Sequence, residues 1–128
     1  MTRSRFVAAL GAALVMASGA RGQSVGRLPD SVAFSKALQL EIDGKYKESA
    51  PYYRMALAGS EAQNALLGLE RVYAELNWTD SLLAPLDTLL RREPNNQVFR
   101  SVQLRALQML NREGDLRKAF DDWTHIAG

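Results

Sequence analysis

The chain contains no cysteine and only one histidine, His125. The missing cysteines exclude disulfide bonds, thiol nucleophiles and a lipid anchor attached through a cysteine. Without cysteine or a second histidine, the usual cysteine- and histidine-based metal sites are excluded as well. His125 falls in the last turn of a predicted helix, where the dipole favours a cation, so we interpret it as structural. We therefore expect no metal, no cofactor and no enzymatic activity.

Long hydrophobic runs are also scarce, and the one uncharged apolar run covers residues 6–17. It follows Arg3 and Arg5 and precedes small residues at 18–20, which is the layout of a secretory signal peptide. The run has 12 residues, whereas a membrane helix needs about 20. We therefore predict a cleaved signal peptide over residues 1–22, no membrane span in the mature chain, and export to a bacterial periplasm or cell envelope.

Neither sign of charge is in large excess: the chain has 16 Lys and Arg residues against 14 Asp and Glu residues. Three of the basic residues, Arg3, Arg5 and Arg21, fall within segment 1–22, so the mature chain has 13 against 14. A nearly neutral domain lacks the basic surface that nucleic-acid binding requires. We expect protein or peptide partners instead.

The pattern beyond residue 22 predicts an all-α chain, because it shows 3.6-residue apolar periodicity and no sustained β-alternation. Residues 23–31 read as a linker and residues 32–128 as one helical domain. Gly44, Asn77 and Gly114 are predicted to end helices, while Ser60 and Asp115 are predicted to cap them. Six helices are thus predicted. They run from about Val32 to the turn at Gly44, roughly over 46–58, from Ser60 to the turn at Asn77, from a cap at Thr79 or Asp80 to about Arg92, from about Val98 to Gly114, and from Asp115 to near the C-terminus.

Only four prolines are present, and two of them, Pro51 and Pro85, fall inside predicted helices. A proline in a helix interior removes a backbone hydrogen bond and costs about 3 kcal/mol, but the first turn tolerates it. We predict late helix starts or modest kinks at both positions.

One pattern occurs three times: an apolar helix, a turn, and a second apolar helix. The turns begin at Gly44, Asn77 and Gly114, which places them 33 and 37 residues apart. A repeat near this length is typical of stacked helical hairpins. One hairpin cannot bury its apolar face alone, so neighbouring hairpins stack. The sequence thus predicts three hairpins packed in order.

Each unit carries a set of apolar and small residues at matching places around its turn. They are Ala37, Leu40, Gly44, Tyr46, Tyr53 and Ala56 in the first unit, Leu66, Leu69, Tyr73, Leu86, Leu89 and Pro94 in the second, and Leu107, Leu110, Gly114, Asp115, Leu116, Ala119 and Trp123 in the third. With these residues the units resemble degenerate tetratricopeptide repeats. The resemblance implies a right-handed solenoid in which the first helix of each hairpin lines a concave groove that binds extended peptides.

Mapping the family's groove onto this chain gives a surface that is apolar at one end and basic at the other. Apolar side chains beside Arg and Asn donors favour a peptide with a carboxylate. An ordinary solvated surface explains the same residues equally well. The predicted groove residues are Phe34, Leu38, Glu41, Asn64, Leu67, Arg71, Ala74, Leu104, Arg105, Gln108, Asn111 and Arg112.

We expect the protein to be a non-catalytic scaffold or adaptor that binds peptides or proteins. One alternative is a helical accessory domain of a larger exported enzyme. Another is a self-assembling repeat unit, because no polar capping helix follows the third hairpin. In that case Phe120, Trp123 or Ile126 would be exposed and could mediate self-association.

Overall fold

The computed structural model describes residues 28–127, which form six α-helices and one 3-10 turn without any β-strand. The predicted all-α class is confirmed. The predicted signal peptide and most of the predicted linker lie outside the described residues, although the first helix already begins inside that linker. The helices are α1 (Asp30–Ile42), α2 (Tyr46–Ala56), α3 (Ala62–Leu76), α4 (Leu83–Arg92), α5 (Gln97–Met109) and α6 (Glu113–Ala127), with the 3-10 turn Thr79–Leu82 before α4.

Helices α1, α3 and α5 end in the same way, each with a left-handed residue. Gly44, Asn77 and Asn111 have φ angles of 76°, 60° and 58°. In each turn the next backbone N–H donates to the carbonyl five residues earlier, as in a Schellman motif. These bonds join Lys45 to Leu40 at 2.8 Å, Trp78 to Tyr73 at 2.7 Å and Arg112 to Leu107 at 3.0 Å.

The structure places the third turn at a different residue from the one that the sequence predicted. Gly114 does not end α5; it lies in the first turn of α6, and Asn111 occupies the turn position instead. The three left-handed residues, at 44, 77 and 111, are therefore 33 and 34 residues apart. The predicted 37-residue interval before the third turn is wrong, and the turns are nearly evenly spaced throughout the described chain. Residues counted from these three turns are called equivalent below.

The helices pack largely in chain order. Contacts join α1 to α2, α2 to α3, α4 to α5 and α5 to α6, while the 3-10 turn packs against both α3 and α5. The helices that precede the three turns also touch, α1 against α3 and α3 against α5. One core therefore continues from α1 to α5. Its largest fully buried side chains are Tyr53, Tyr73, Phe99, Leu66, Leu69, Leu82, Leu86, Leu89, Val72 and Val102.

Small residues let the first three helices approach closely. Ala37 is fully buried, and the hydroxyl of Ser49 donates to its carbonyl oxygen at 2.7 Å, which joins α2 to α1. In α3, Gly68 lies against the ring of Tyr53 from α2 with no room for a Cβ atom. Ala37 thus allows α2 to pack closely on α1, and Gly68 plays the corresponding part between hairpins.

The helix starts differ from several sequence-based assignments. Neither Ser60 nor Asp115 caps a helix: α3 follows Glu61 without a side-chain cap, and Asp115 lies within α6. The side chain of Asn96 caps α5 by accepting from the Phe99 N–H at 3.1 Å. Helix α4 begins only two residues before Pro85, as predicted, whereas Pro51 lies in the second turn of α2.

Among residues 28–127, no helix has the length and apolar character needed to cross a bilayer.

Candidate functional site

The exposed side of α1, α3 and α5 forms a surface that we call the first-helix face. Its members recur at equivalent positions of the three helices because the turn spacing is regular. Four such positions define it. The sets are Phe34, Leu67 and Ser101; Leu38, Arg71 and Arg105; Glu41, Ala74 and Gln108; and Ile42, Glu75 and Met109.

A shallow groove runs between α1 and α3 on this face. Leu38, Ile42 and Tyr46 supply its apolar wall, and the small side chain of Ala74 leaves its floor open. Ile42 is 70% exposed. The groove therefore presents apolar surface to solvent beside the charged groups at its rim.

An ion pair between α3 and α1 lines one side of that groove. Arg71 donates from Nε and Nη2 to the two carboxylate oxygens of Glu41, at 2.7 and 2.9 Å. The hydroxyl of the buried Tyr53 donates to the same carboxylate. Glu41 is thus held by groups from α2 and α3, and this contact ties the first two hairpins together.

The pKa values in this cluster follow from its geometry. The hydrogen bonds from Arg71 hold the pKa of Glu41 below its ordinary value of 4.5, although partial burial opposes this. Burial, followed by the neighbouring Glu41 carboxylate, raises the pKa of Tyr53. The pair with Glu41 raises the pKa of Arg71. At neutral pH Glu41 is therefore ionised, while the Tyr53 hydroxyl keeps the proton that it donates.

A second ion pair links α3 to α5. Arg105 donates from Nε and Nη2 to Glu70 at 2.9 and 2.8 Å, and this pairing raises the pKa of Arg105. Arg71 and Arg105 were predicted to grip a peptide carboxylate, and each already holds a carboxylate of the neighbouring helix. Their side chains nevertheless remain 54% and 52% exposed, so each guanidinium has an edge that a ligand can reach.

A second groove lies between α3 and α5, farther along the same face. Leu67 forms its α3 side, and Val98, Ser101 and Arg105 form its α5 side together with Gln97. Met109, which is 61% exposed, lies on the same side of α5. The first-helix face therefore carries two grooves in a row, each bordered by one of the two ion-paired arginines.

Most of the predicted groove residues lie on this face or at its edge. Phe34 is half-buried, with its ring centroid 5.9 Å from that of Tyr53. Asn64 is exposed and donates to Glu61 at 3.1 Å. Gln108 is exposed at the position equivalent to Glu41 and also borders the α5–α6 groove described below.

Three predicted residues of the third unit lie elsewhere because the third turn was misplaced. Leu104 faces α6 and lines a different groove with Leu116 and Phe120. Asn111 is the left-handed turn residue, and Arg112 pairs with Asp115 at 2.7 Å. Val98, Ser101 and Met109 occupy the corresponding places on the face. These residues lie 34 positions after Asn64, Leu67 and Glu75, which is the interval from Asn77 to the turn at Asn111.

The described residues offer no group of three or more acidic or histidine side chains that could hold a metal ion. The two ion pairs and Tyr53 link helices on this face, and Glu75 adds a further carboxylate to the groove between α1 and α3. The face therefore combines exposed apolar grooves with charged side chains that are held in ion pairs.

No protein-family model matches the chain. Searches of curated proteins and of solved structures likewise gave no match.

Proposed function

We propose that this chain is an exported, non-catalytic adaptor whose three tetratricopeptide-like hairpins form a right-handed solenoid and bind an extended peptide along the first-helix face. The proposal rests on one observation above all: two grooves with exposed apolar walls lie in succession on that face. The regular spacing of the turns supports the repeat assignment, since 34 residues is the length of a tetratricopeptide repeat. Export is supported by the layout of residues 1–22.

The grooves favour a ligand that combines an apolar side chain with hydrogen-bond acceptors. Leu38 and Ile42 provide apolar contact in the groove between α1 and α3. The pair with Glu41 engages Nε and Nη2 of Arg71, and Nη1 is not part of it. A backbone carbonyl or carboxylate of the ligand can therefore accept from Arg71 without breaking the pair. Such charge-assisted bonds are roughly twice as strong as neutral ones.

Glu75 narrows the choice of ligand further. Its carboxylate lines the same groove, so an acidic side chain placed there would meet a like charge. Acidic groups of the ligand are better placed toward Arg105, where the α3–α5 groove is bordered by a cation and by Ser101. We therefore propose a peptide whose apolar residue binds between α1 and α3 and whose carboxylate or carbonyl groups face α5.

Selection of random peptides on the full chain, followed by titration calorimetry of the selected peptides, tests this function. Ala74→Arg fills the floor of the α1–α3 groove from an exposed position, so the core is left intact. We expect it to weaken binding by about tenfold or more, which corresponds to about 1.4 kcal/mol.

The matched control is Ala58→Arg, which places the same side chain at an exposed position in the groove between α2 and α4. It should leave affinity unchanged. Equal effects of the two substitutions, or a failure to select any peptide, would contradict the proposed function. Charge reversal of Arg71 is a poorer test because it also breaks the bond to Glu41 between hairpins.

A further inference from the structure

The exposed side of α5 and α6 carries an apolar groove that adjoins the first-helix face at Gln108. Leu104, Leu116 and Phe120 line it, together with Gln108, Glu113 and Arg117. Phe120 is 54% exposed. An exposed aromatic ring beside two leucines is the kind of surface that protein contacts cover.

The repeat shows what covers this position elsewhere in the chain. Phe120 is equivalent to Leu86 and Tyr53, nine residues after the turns at Asn111, Asn77 and Gly44. Leu86 is 1% exposed and Tyr53 is fully buried. Tyr53 lies beneath Gly68 in the first helix of the next hairpin, and Leu86 borders α5. The first helix of a hairpin is therefore the element that fits over Phe120.

Helix α1 has a matching exposed side. The position equivalent to Gly68 is Ser35, a small residue that is exposed on α1. Val32, one turn earlier, is exposed as well. Ser35 has the Cβ atom that Gly68 lacks, so a ring packed on Ser35 must lie farther from its helix than Tyr53 lies from α3. A second copy of the chain thus offers a first helix with a small residue at the required place.

The residues of α5 and α1 that are equivalent to the ion pair between α3 and α5 agree with this arrangement. Inside the chain, Glu70 of α3 pairs with Arg105 of α5. The residue of α5 equivalent to Glu70 is Leu104, and the residue of α1 equivalent to Arg105 is Leu38. If α1 of one copy packed on α5 of another, leucine would meet leucine where the internal interface has an ion pair. No charge would be buried at this pair of positions, and an unpaired buried charge is a large penalty at such contacts.

We infer that the groove formed by α5 and α6 receives α1 of a second copy of this chain, so that copies associate head to tail. Such a heterologous contact leaves one α1 and one α6 free in each dimer, which permits longer assemblies. The inference goes beyond peptide binding and does not depend on it. Phe120 and Ser35 do not line the first-helix grooves, although Leu38, at the edge of the proposed contact, does.

Disulfide trapping tests the contact directly, since the chain has no cysteine of its own. Ser35→Cys and Phe120→Cys chains are mixed and oxidised. A bridge requires Cβ atoms about 3.5–4.5 Å apart, so a linked dimer is expected from the mixture. Ser81→Cys, exposed on the 3-10 turn, replaces Phe120→Cys in the control mixture and should give no dimer.

Three results of the trapping experiment would overturn the inference. These are no linked dimer from the mixture, equal yields from the Ser81 control, and a dimer formed by the Phe120→Cys chain alone. The last result would mean that two α6 helices face each other symmetrically.

Light scattering of the full chain from about 10 µM to about 1 mM provides a second readout, in the range expected of a weak association. The mass should rise with concentration. Phe120→Glu should weaken association by about tenfold or more, whereas Met109→Glu, an equally exposed apolar residue on the first-helix face, should not. A constant single-chain mass, or the same loss in both variants, would contradict the head-to-tail contact. Loss of peptide binding in Ala74→Arg with trapping intact would separate the two proposals.

Discussion

Replacing Gly68 with alanine should destabilise this protein, against the usual behaviour of a glycine inside a helix. A Cβ atom at Gly68 would lie 2.3–2.8 Å from three ring carbons of Tyr53. The ring has nowhere to move freely, because Tyr53 is fully buried and its hydroxyl is bonded to Glu41. The substitution must therefore displace the ring or increase the distance between α2 and α3.

The opposing contributions can be estimated. Alanine improves helix propensity by up to about 1 kcal/mol. Overpacking a core costs about 1–3 kcal/mol, and a hydrogen bond to a charged group contributes about 1.5–3 kcal/mol. We expect a net loss of about 1–3 kcal/mol. For a domain of this size, each kcal/mol lowers the melting temperature by about 4–8 °C.

Urea and thermal unfolding followed by circular dichroism measure this effect. Gly114→Ala is the matched control, because Gly114 is also helical and a Cβ atom there meets nothing within 4 Å. It should raise stability by about 0.5–1 kcal/mol. If Gly68→Ala stabilised the protein as much as Gly114→Ala does, the close contact between α2 and α3 would be refuted.

Three further predictions concern other parts of the fold. Leu86→Ala should lower the unfolding free energy by about 2–5 kcal/mol, because Leu86 is fully buried between hairpins; an unchanged urea midpoint would argue against that packing. Asn111→Ala should lower the unfolding free energy by about 1 kcal/mol, because residue 111 is left-handed with φ of 58°. Asn111→Gly should be neutral or stabilising, and calorimetric melting compares the two variants. The lowered pKa of Glu41 means that its carboxylate binds protons less readily when folded than when unfolded. The stability that Glu41 contributes is therefore fully present above pH 4.5, its ordinary pKa, and is lost as the pH falls through its lower pKa in the folded protein. Glu41→Gln should be less stable than the parent at pH 7, by about 1 kcal/mol for so exposed a pair, and the difference should vanish in acid urea titrations.

The sequence alone was enough to predict an all-helical chain and the residues of two of the three turns. Apolar periodicity is a strong signal in a chain without β-alternation, and Gly44 and Asn77 stand where a left-handed residue is needed. The third turn was misplaced because Gly114 is the more obvious helix breaker, while Asn111 adopts the left-handed conformation. Local preference alone does not decide between two such residues three positions apart. The repeat interval does, because Asn111 lies 34 residues after Asn77 and Gly114 lies 37 residues after it, against 33 between Gly44 and Asn77.

The site was less predictable than the fold. Arg71 and Arg105 were correctly expected to be exposed, but their partners come from helices 30 and 35 residues away in sequence. Such pairing depends on how α1, α3 and α5 sit against one another. Arg100 is a similar case: it is buried, and its Nε atom donates to the Pro94 carbonyl at 3.0 Å. An arginine in an apolar helix gives no local sign that a backbone carbonyl will satisfy it.

Chemical-shift mapping of a selected peptide on the isotopically labelled full chain tests the central claim most directly. Binding to the first-helix face predicts the largest amide shifts near Leu38, Ile42 and Ala74, with smaller ones near Ser101. The exposed positions of α2 and α4 should be unaffected. Shifts concentrated on α2 and α4, with none around Ala74, would contradict the account.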